Sequence, residues 1–260
     1  MSDRKGTPPQ EPFFTGYSSS IPRPLVAFLA IVLAAVIGIF AGSAFALRLT
    51  TDDPGDGRFR FDLGRQTFEG VLQHHPYPVL RLPPGENGVA ETVMLAGQGK
   101  RGVQNRAEPL DGAEVDAGGV LLTRGYLRLL LVGGPVGLRA GEAETPLSYT
   151  PAPPQHLGRY RLVGEICDGK CYVGAMRPGR GLAHKACANL CLHGGAPAVF
   201  VSASPLDGRT FFLLADKAGE PLDPSLYDWT ALHIEAEGDV EQLDNLMVFK
   251  MDPASVRVLP

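Results

Sequence analysis

The chain has 260 residues and is poor in several residue types: one tryptophan, four cysteines, and 24 lysines and arginines against 28 aspartates and glutamates. Its net charge of −4 comes with no basic cluster. Phosphate contacts need a surplus of grouped cations, so this balance argues against a nucleic-acid binder. The chain also lacks a G-x-S-x-G elbow, a Walker loop and a G-x-G-x-x-G ahead of a helix, which leaves hydrolase, NTPase and dinucleotide readings without support. There is no C-x-x-C-H for covalent haem. "CLH" at Cys191–His193 matches half of a Rieske motif, but no C-x-x-H follows it. Charged residues, at 20%, are too sparse and mixed for a disordered chain.

What the chain does have is glycine and proline, 32 and 23 residues, in the manner of a turn-rich β protein. It also has one long uncharged run, "PLVAFLAIVLAAVIGIFAGSAFAL", Pro24–Leu47. At about 1.5 Å per residue that run reaches roughly 36 Å as a helix, enough to cross a bilayer. Ala44 and Ala46 offer the small residues of a signal-peptidase site. The apolar region is nevertheless longer than the ~7–15 residues of a signal sequence, so an uncleaved anchor is expected. Arg4, Lys5 and Arg23 precede the span and Arg48, Arg58 and Arg60 follow it, so charge bias sets no orientation. Large domains translocate largely regardless of charge, and clustered cysteines suit an oxidising space. The expected location is therefore a bacterial inner membrane, with the N-terminus cytoplasmic and the bulk periplasmic. Ala30, Ala34, Gly38, Gly42 and Ala46 recur every four residues and form a small-residue ridge suited to a second transmembrane helix.

Residues 1–23 read as a polar cytosolic tail. From Arg58 onward, short apolar runs alternate with Gly, Pro and Asp, the pattern of strands and turns. "TPLSYTPAPPQHLG", residues 145–158, holds four prolines and is the candidate linker between a unit at 58–144 and another at 159–260. Each unit opens with a strand carrying a central glycine, Gly70 or Gly164, which suits the sharp coil of a small closed barrel. The fold expected is mainly β: one N-terminal transmembrane helix, then two five-stranded OB-like barrels. In "LDPSLYDW", Asp223 as N-cap and Pro224 at the first helical position predict a short helix before the fourth strand of the second barrel, with Tyr227 and Trp229 plugging its core.

All four cysteines fall in a helical insertion of the second barrel, residues 167–195. "GLAHKACANLCLHGG" predicts a helix over Leu182–His193 stopped by Gly194. At about 100° per residue, His184, Cys187 and Cys191 fall at about 0°, 300° and 340°, on one narrow face. Cys167 and Cys171 bracket a tight "DGK" turn, and Met176 lies in the loop between. Three chemistries suit this arrangement. Disulfides would cross-pair the turn with the helix, because two cysteines four apart along a helix bridge poorly; the pairing stays open. No cofactor is then expected. Alternatively Cys167, Cys171, Cys187 and Cys191, with His184 and Met176, could bind zinc or copper. A redox dithiol is the third, without the usual C-x-x-C. The C-x-x-x-C spacing is similar to that of Sco-type copper chaperones, but their thioredoxin-like context is missing.

The order G-E-I-C-D-x-x-C, H-x-x-C-x-x-x-C and G-G-x-P, followed by a β-rich tail, resembles small bacterial exported domains of OB-like fold with no assigned activity. The resemblance covers about 161–259. It implies an extracytoplasmic location and supplies no catalytic residue. Elsewhere, His74 and His75 in "QHHPYP" would point to opposite faces as strand neighbours and could not readily share an ion, and a loop edge is expected there. His233 takes an ordinary exposed strand position, His193 is explained by the dipole of its helix, and Asp52, Asp53 and Asp56 read as a solvated turn. The expectation is a non-enzymatic accessory or assembly subunit of a larger membrane complex, with an electron-transfer or respiratory complex as host by analogy. The alternatives are a copper or zinc metallochaperone or sensor, and a thiol redox protein.

Overall fold

The computed structural model describes residues 22–50, 55, 57–86, 88–141 and 147–260; the N-terminal tail to residue 21, Asp52, Asp53, Asp56 and the start of the proline-rich segment lie outside them. Two compact units result, Met1–Thr51 and Asp52–Pro260. In the first, α1 (Arg23–Thr50) contains a 22-residue apolar stretch, Leu25–Ala46, with mean hydropathy 2.8. Length and composition fit a membrane anchor or a signal sequence alike. The positions of Gly38 and Gly42 are open, with no atom within 4 Å of where a β-carbon would stand.

The second unit contains two barrels. The first is built from β1 (Arg58–Phe59), β2 (Arg65–Gln73), β3 (Val79–Leu82), β4 (Glu91–Ala96), α2 (Gln104–Ala107), β5 (Glu114–Arg124), β6 (Leu127–Val132) and β7 (Leu138–Ala140). Its principal strands close in the order β2-β3-β4-β6-β5 and back to β2, with β4 and β6 parallel and every other pair antiparallel. The second uses β8 (Gln155–Asp168), α3 (Lys185–His193), β9 (Ala198–Leu206), β10 (Arg209–Asp216), β11 (Ile234–Leu243), β12 (Leu246–Met251) and β13 (Arg257–Val258). It closes as β8-β9-β10-β12-β11, again with one parallel pair, β10 and β12. This is the five-stranded OB-type Greek-key barrel expected from the sequence, twice over.

Period-two alternation builds each barrel. In β11, Ile234, Ala236, Gly238 and Val240 are buried while Glu235, Glu237, Asp239 and Glu241 are not, as a strand with one core face requires. The coil of the first strand needs its glycine. A β-carbon at Gly164 would stand 2.1 Å from the Val201 carbonyl oxygen, and one at Gly70 2.6 Å from that of Arg81. The helix before the fourth strand forms as a single tight 3₁₀ segment, Pro224–Trp229, capped by Asp223, whose Oδ1 accepts the Ser225 N–H at 2.8 Å. Tyr227 is buried beneath it and Trp229 packs against the core.

One hydrophobic core runs through both barrels. Val79, Met94, Leu122 and Leu129 of the first join Phe200, Phe211, Phe212 and Phe249 of the second in a continuous cluster. Each such side chain contributes roughly 1.5–3 kcal/mol when fully buried. The aromatic rings pair edge to face, Phe200 on Phe249 at 5.3 Å between centroids. Polar contacts complete the junction: Arg81 on β3 forks onto Asp244 in the β11–β12 turn, and the Tyr77 hydroxyl accepts the Leu222 N–H at 3.1 Å.

Candidate metal centre

The insertion leaves β8 at Asp168 and re-enters the barrel at β9. Its opening turn is held by Asp168, whose Oδ1 accepts the Cys171 N–H three residues on at 2.8 Å, the bond with which a short acidic side chain caps a helical turn. A single wide π-type turn follows over Cys171–Ala175. The predicted helix begins later than its sequence pattern: Leu182–His184 is one 3₁₀ turn, and α3 proper runs from Lys185 to His193, ending at Gly194. His184, at the start of α3, reaches back so that Nε2 lies 2.8 Å from Asp168 Oδ2, both side chains fully buried. Asp168 thus ties the turn and the helix together with its two oxygens.

This tie brings three thiols together. Cys171 Sγ lies 4.0 Å from Cys187 Sγ and 4.0 Å from Cys191 Sγ, and all three sulfurs are within 4.8 Å of one another. Asp168, Cys171 and His184 form a second, overlapping group on the same criterion. The other two expected members are elsewhere. Cys167 sits on the side of β8 opposite Ile166 and is wholly buried in the hydrophobic core, apart from the small cluster formed by Cys171, Cys191, Ala196 and Cys187. Met176 is 45% exposed and lines a different hollow with Tyr172 and Arg177. All four cysteines are free thiols and no disulfide is observed; with Cys167 in the core, the turn has only Cys171 to present to the helix.

The first barrel supplies what the sequence pattern did not reveal. The loop after β4 packs on the C-terminal end of α3, with the Gly102 N–H donating to Gly194 O at 2.7 Å and Gln104 donating to Gly195 O. A β-carbon at Gly194 would stand 1.6 Å from Lys100 O, so only glycine admits this approach. From that loop Lys100 Nζ reaches Cys187 Sγ at 2.8 Å and Cys191 Sγ at 3.9 Å. Lys170, buried in the turn between Asp168 and Cys171, donates to Gly97 O and Gly99 O of the same loop.

The electrostatics follow from these contacts. A hydrogen bond from Cys171 lowers the Cys191 thiol to about 7 against the opposing effect of burial, with Lys170 and Lys100 assisting. Cys171, the donor, is pushed far upward by the same bond and by burial. The two shifts run in opposite directions, Cys191 toward the thiolate and Cys171 toward the thiol. Contact with Cys187 raises the Lys100 ammonium, and burial raises Cys167. A thiolate-bearing group of three soft donors, flanked by ammonium groups, can hold a thiophilic metal ion or be oxidised.

The other histidines take ordinary places. His74 and His75 meet edge to face at 4.7 Å, and His75 Nδ1 lies 2.8 Å from Glu220 Oε2; His193 stands edge-on to Tyr227 at 4.9 Å. No family model, curated protein or solved structure matches the chain.

Proposed function

We propose that this chain is a membrane-anchored metal-handling protein, of the metallochaperone or metal-sensor kind, which holds a soft ion, copper or zinc, on Cys171, Cys187 and Cys191. The observation that carries this reading is the convergence of three sulfurs from two separate segments, fixed by the Asp168–His184 pair. Thiolate donors select Cu(I) and Zn²⁺ over harder cations. Anchoring is read from the apolar length of α1; as part of the proposal the N-terminus is taken as cytoplasmic and the barrels as extracytoplasmic, because large domains translocate largely regardless of charge. The test is metal analysis of the reduced full chain in detergent after equilibration with Cu(I) or Zn²⁺. One ion per chain is expected, with binding lost in Cys171→Ser, Cys187→Ser and Cys191→Ser and kept in Cys167→Ser. No stoichiometric uptake of either ion would end the reading. A disulfide in the native protein, reducible without change in metal content, would transfer the centre to thiol redox chemistry.

A second reading, as an accessory or assembly subunit of a larger membrane complex such as an electron-transfer complex, is favoured by the Ala30, Ala34, Gly38, Gly42 and Ala46 ridge on α1, open at both glycines. Replacement of Gly38 and Gly42 by Leu is expected to abolish co-purification of a partner chain. Unchanged co-purification refutes it.

A further inference from the structure

Resting on the metal reading above, we infer that the centre is a trigonal three-sulfur site for Cu(I), and that Lys100 of the first barrel is the group that holds its excess negative charge. Coordination number carries the first half. Zinc in structural sites takes four protein ligands, and in open sites three with a fourth position left to water or substrate. Among the described residues no fourth His, Cys, Asp or Glu ligand atom joins the three sulfurs. The candidates for that place are engaged otherwise: Cys167 is in the core, Met176 lines a different hollow, and Asp168 and His184, which reach Cys171 alone of the three sulfurs, are bonded to each other. Three sulfurs about 2.3 Å from one ion stand about 3.8–4.0 Å apart. The two Sγ separations from Cys171 are 4.0 Å and the third is within 4.8 Å, so the three can close on a single ion.

Charge carries the second half. Three thiolates around Cu(I) leave a doubly negative group in a site where Cys171 and Cys191 are almost wholly shielded from solvent. Such a charge is tolerated only beside compensating cations and hydrogen-bond donors. Among the described residues Lys100 and Lys170 are the cations that act on these thiols, and Asp168 is engaged with His184. Of the two, Lys100 is the one hydrogen-bonded to the sulfurs. It is a positioning residue and not a ligand: its ammonium donates to Cys187 and stands beside Cys191. The metal site is therefore completed across the junction, the ligands coming from the second barrel and the counter-charge from the first.

The experiment uses the reduced full chain in detergent under anaerobic conditions. Cu(I) is titrated against bicinchoninate and Zn²⁺ against a chromophoric chelator, and X-ray absorption is recorded on the copper-loaded protein. The expected result is one Cu(I) per chain with three sulfur neighbours. Lys100→Met should weaken Cu(I) about ten- to a hundredfold, the value of a charge-assisted hydrogen bond, and Zn²⁺ by a smaller factor. Lys100→Arg, which keeps the charge, should restore Cu(I) affinity to within about threefold of the parent. Two-sulfur copper, a nitrogen or oxygen ligand at copper, or an unchanged Cu(I) affinity in Lys100→Met overturns this inference while leaving metal binding in place. Failure of both ions to bind overturns the metal reading itself.

Discussion

The junction between the barrels turns on one buried ion pair, and removing half of it should be costly. Arg81 Nε donates to Asp244 Oδ2 at 2.9 Å and Nη2 to Oδ1 at 2.7 Å, and the two side chains are 5% and 6% exposed. Asp244 Oδ2 also accepts the Thr92 hydroxyl at 2.7 Å, while the Thr92 N–H donates to Asn245 Oδ1. Asp244→Ala leaves the guanidinium buried without a counter-charge, which costs about 3–5 kcal/mol. Asp244 also sits at φ 53°, where alanine adds strain of about 1–2 kcal/mol. At about 2–4 °C per kcal/mol for a body of this size, the thermal midpoint should fall by about 8–28 °C. Asp244→Asn tolerates the same backbone and keeps one acceptor, so it should lose less, about 1.5–3 kcal/mol. Thermal and urea unfolding of the full chain followed by circular dichroism read both variants, and a cycle with Arg81→Met isolates the pair. A loss below about 1 kcal/mol in Asp244→Ala, the level of a solvated surface pair, would refute the argument.

Three further outcomes are expected. Burial raises the Tyr77 phenol well above its ordinary range, so it remains a neutral hydroxyl; Tyr77→Phe strands the buried Leu222 N–H and should cost about 1–3 kcal/mol in the same unfolding assay, and a neutral result would refute the bond. Gly194→Ala forces a β-carbon onto Lys100 O and should destabilise by about 1–3 kcal/mol while weakening metal binding, since it moves the loop that carries Lys100. Unaltered stability would show that this loop gives way freely. The third concerns pH. Cys191 is lowered from its ordinary 9.0 to about 7 in the folded chain, so its contribution to stability is complete above about pH 9 and is lost as pH falls through about 7. The metal-free parent should therefore gain stability relative to Cys191→Ala between about pH 6 and 9, whereas the upward shift of Cys171 acts only above that window. A flat difference across the range would refute the lowered Cys191 thiol.

Local chemistry made much of this protein legible in its sequence. An apolar run of this length must pair its backbone internally, and a helix does so within the run itself, so α1 needed no tertiary information. Alternation wrote the strands, and Gly70 and Gly164 marked where each barrel coils. The i, i+4 spacing of Cys187 and Cys191 set both thiols on one side of α3, because helical periodicity is a property of neighbours, whereas His184 lies in the 3₁₀ turn ahead of that helix. Asp223 and Pro224 marked the plug in the same way.

Tertiary packing decided the rest. Cys167 and Cys171 are equivalent in the sequence motif, yet they part because β8 ends at Asp168: the strand points Cys167 into the core, and the turn that Asp168 caps points Cys171 at α3. Asp168 was readable only as a turn former, since its second partner, His184, lies 16 residues on. Nothing near Lys100 in the chain announces a thiol 87 residues away, and nothing near Arg81 announces Asp244 at a separation of 163. Sequence fixes which residues share a face of one element; which faces of two barrels meet depends on closing long loops around a common core, and that is where the counter-charge of the thiol centre was placed.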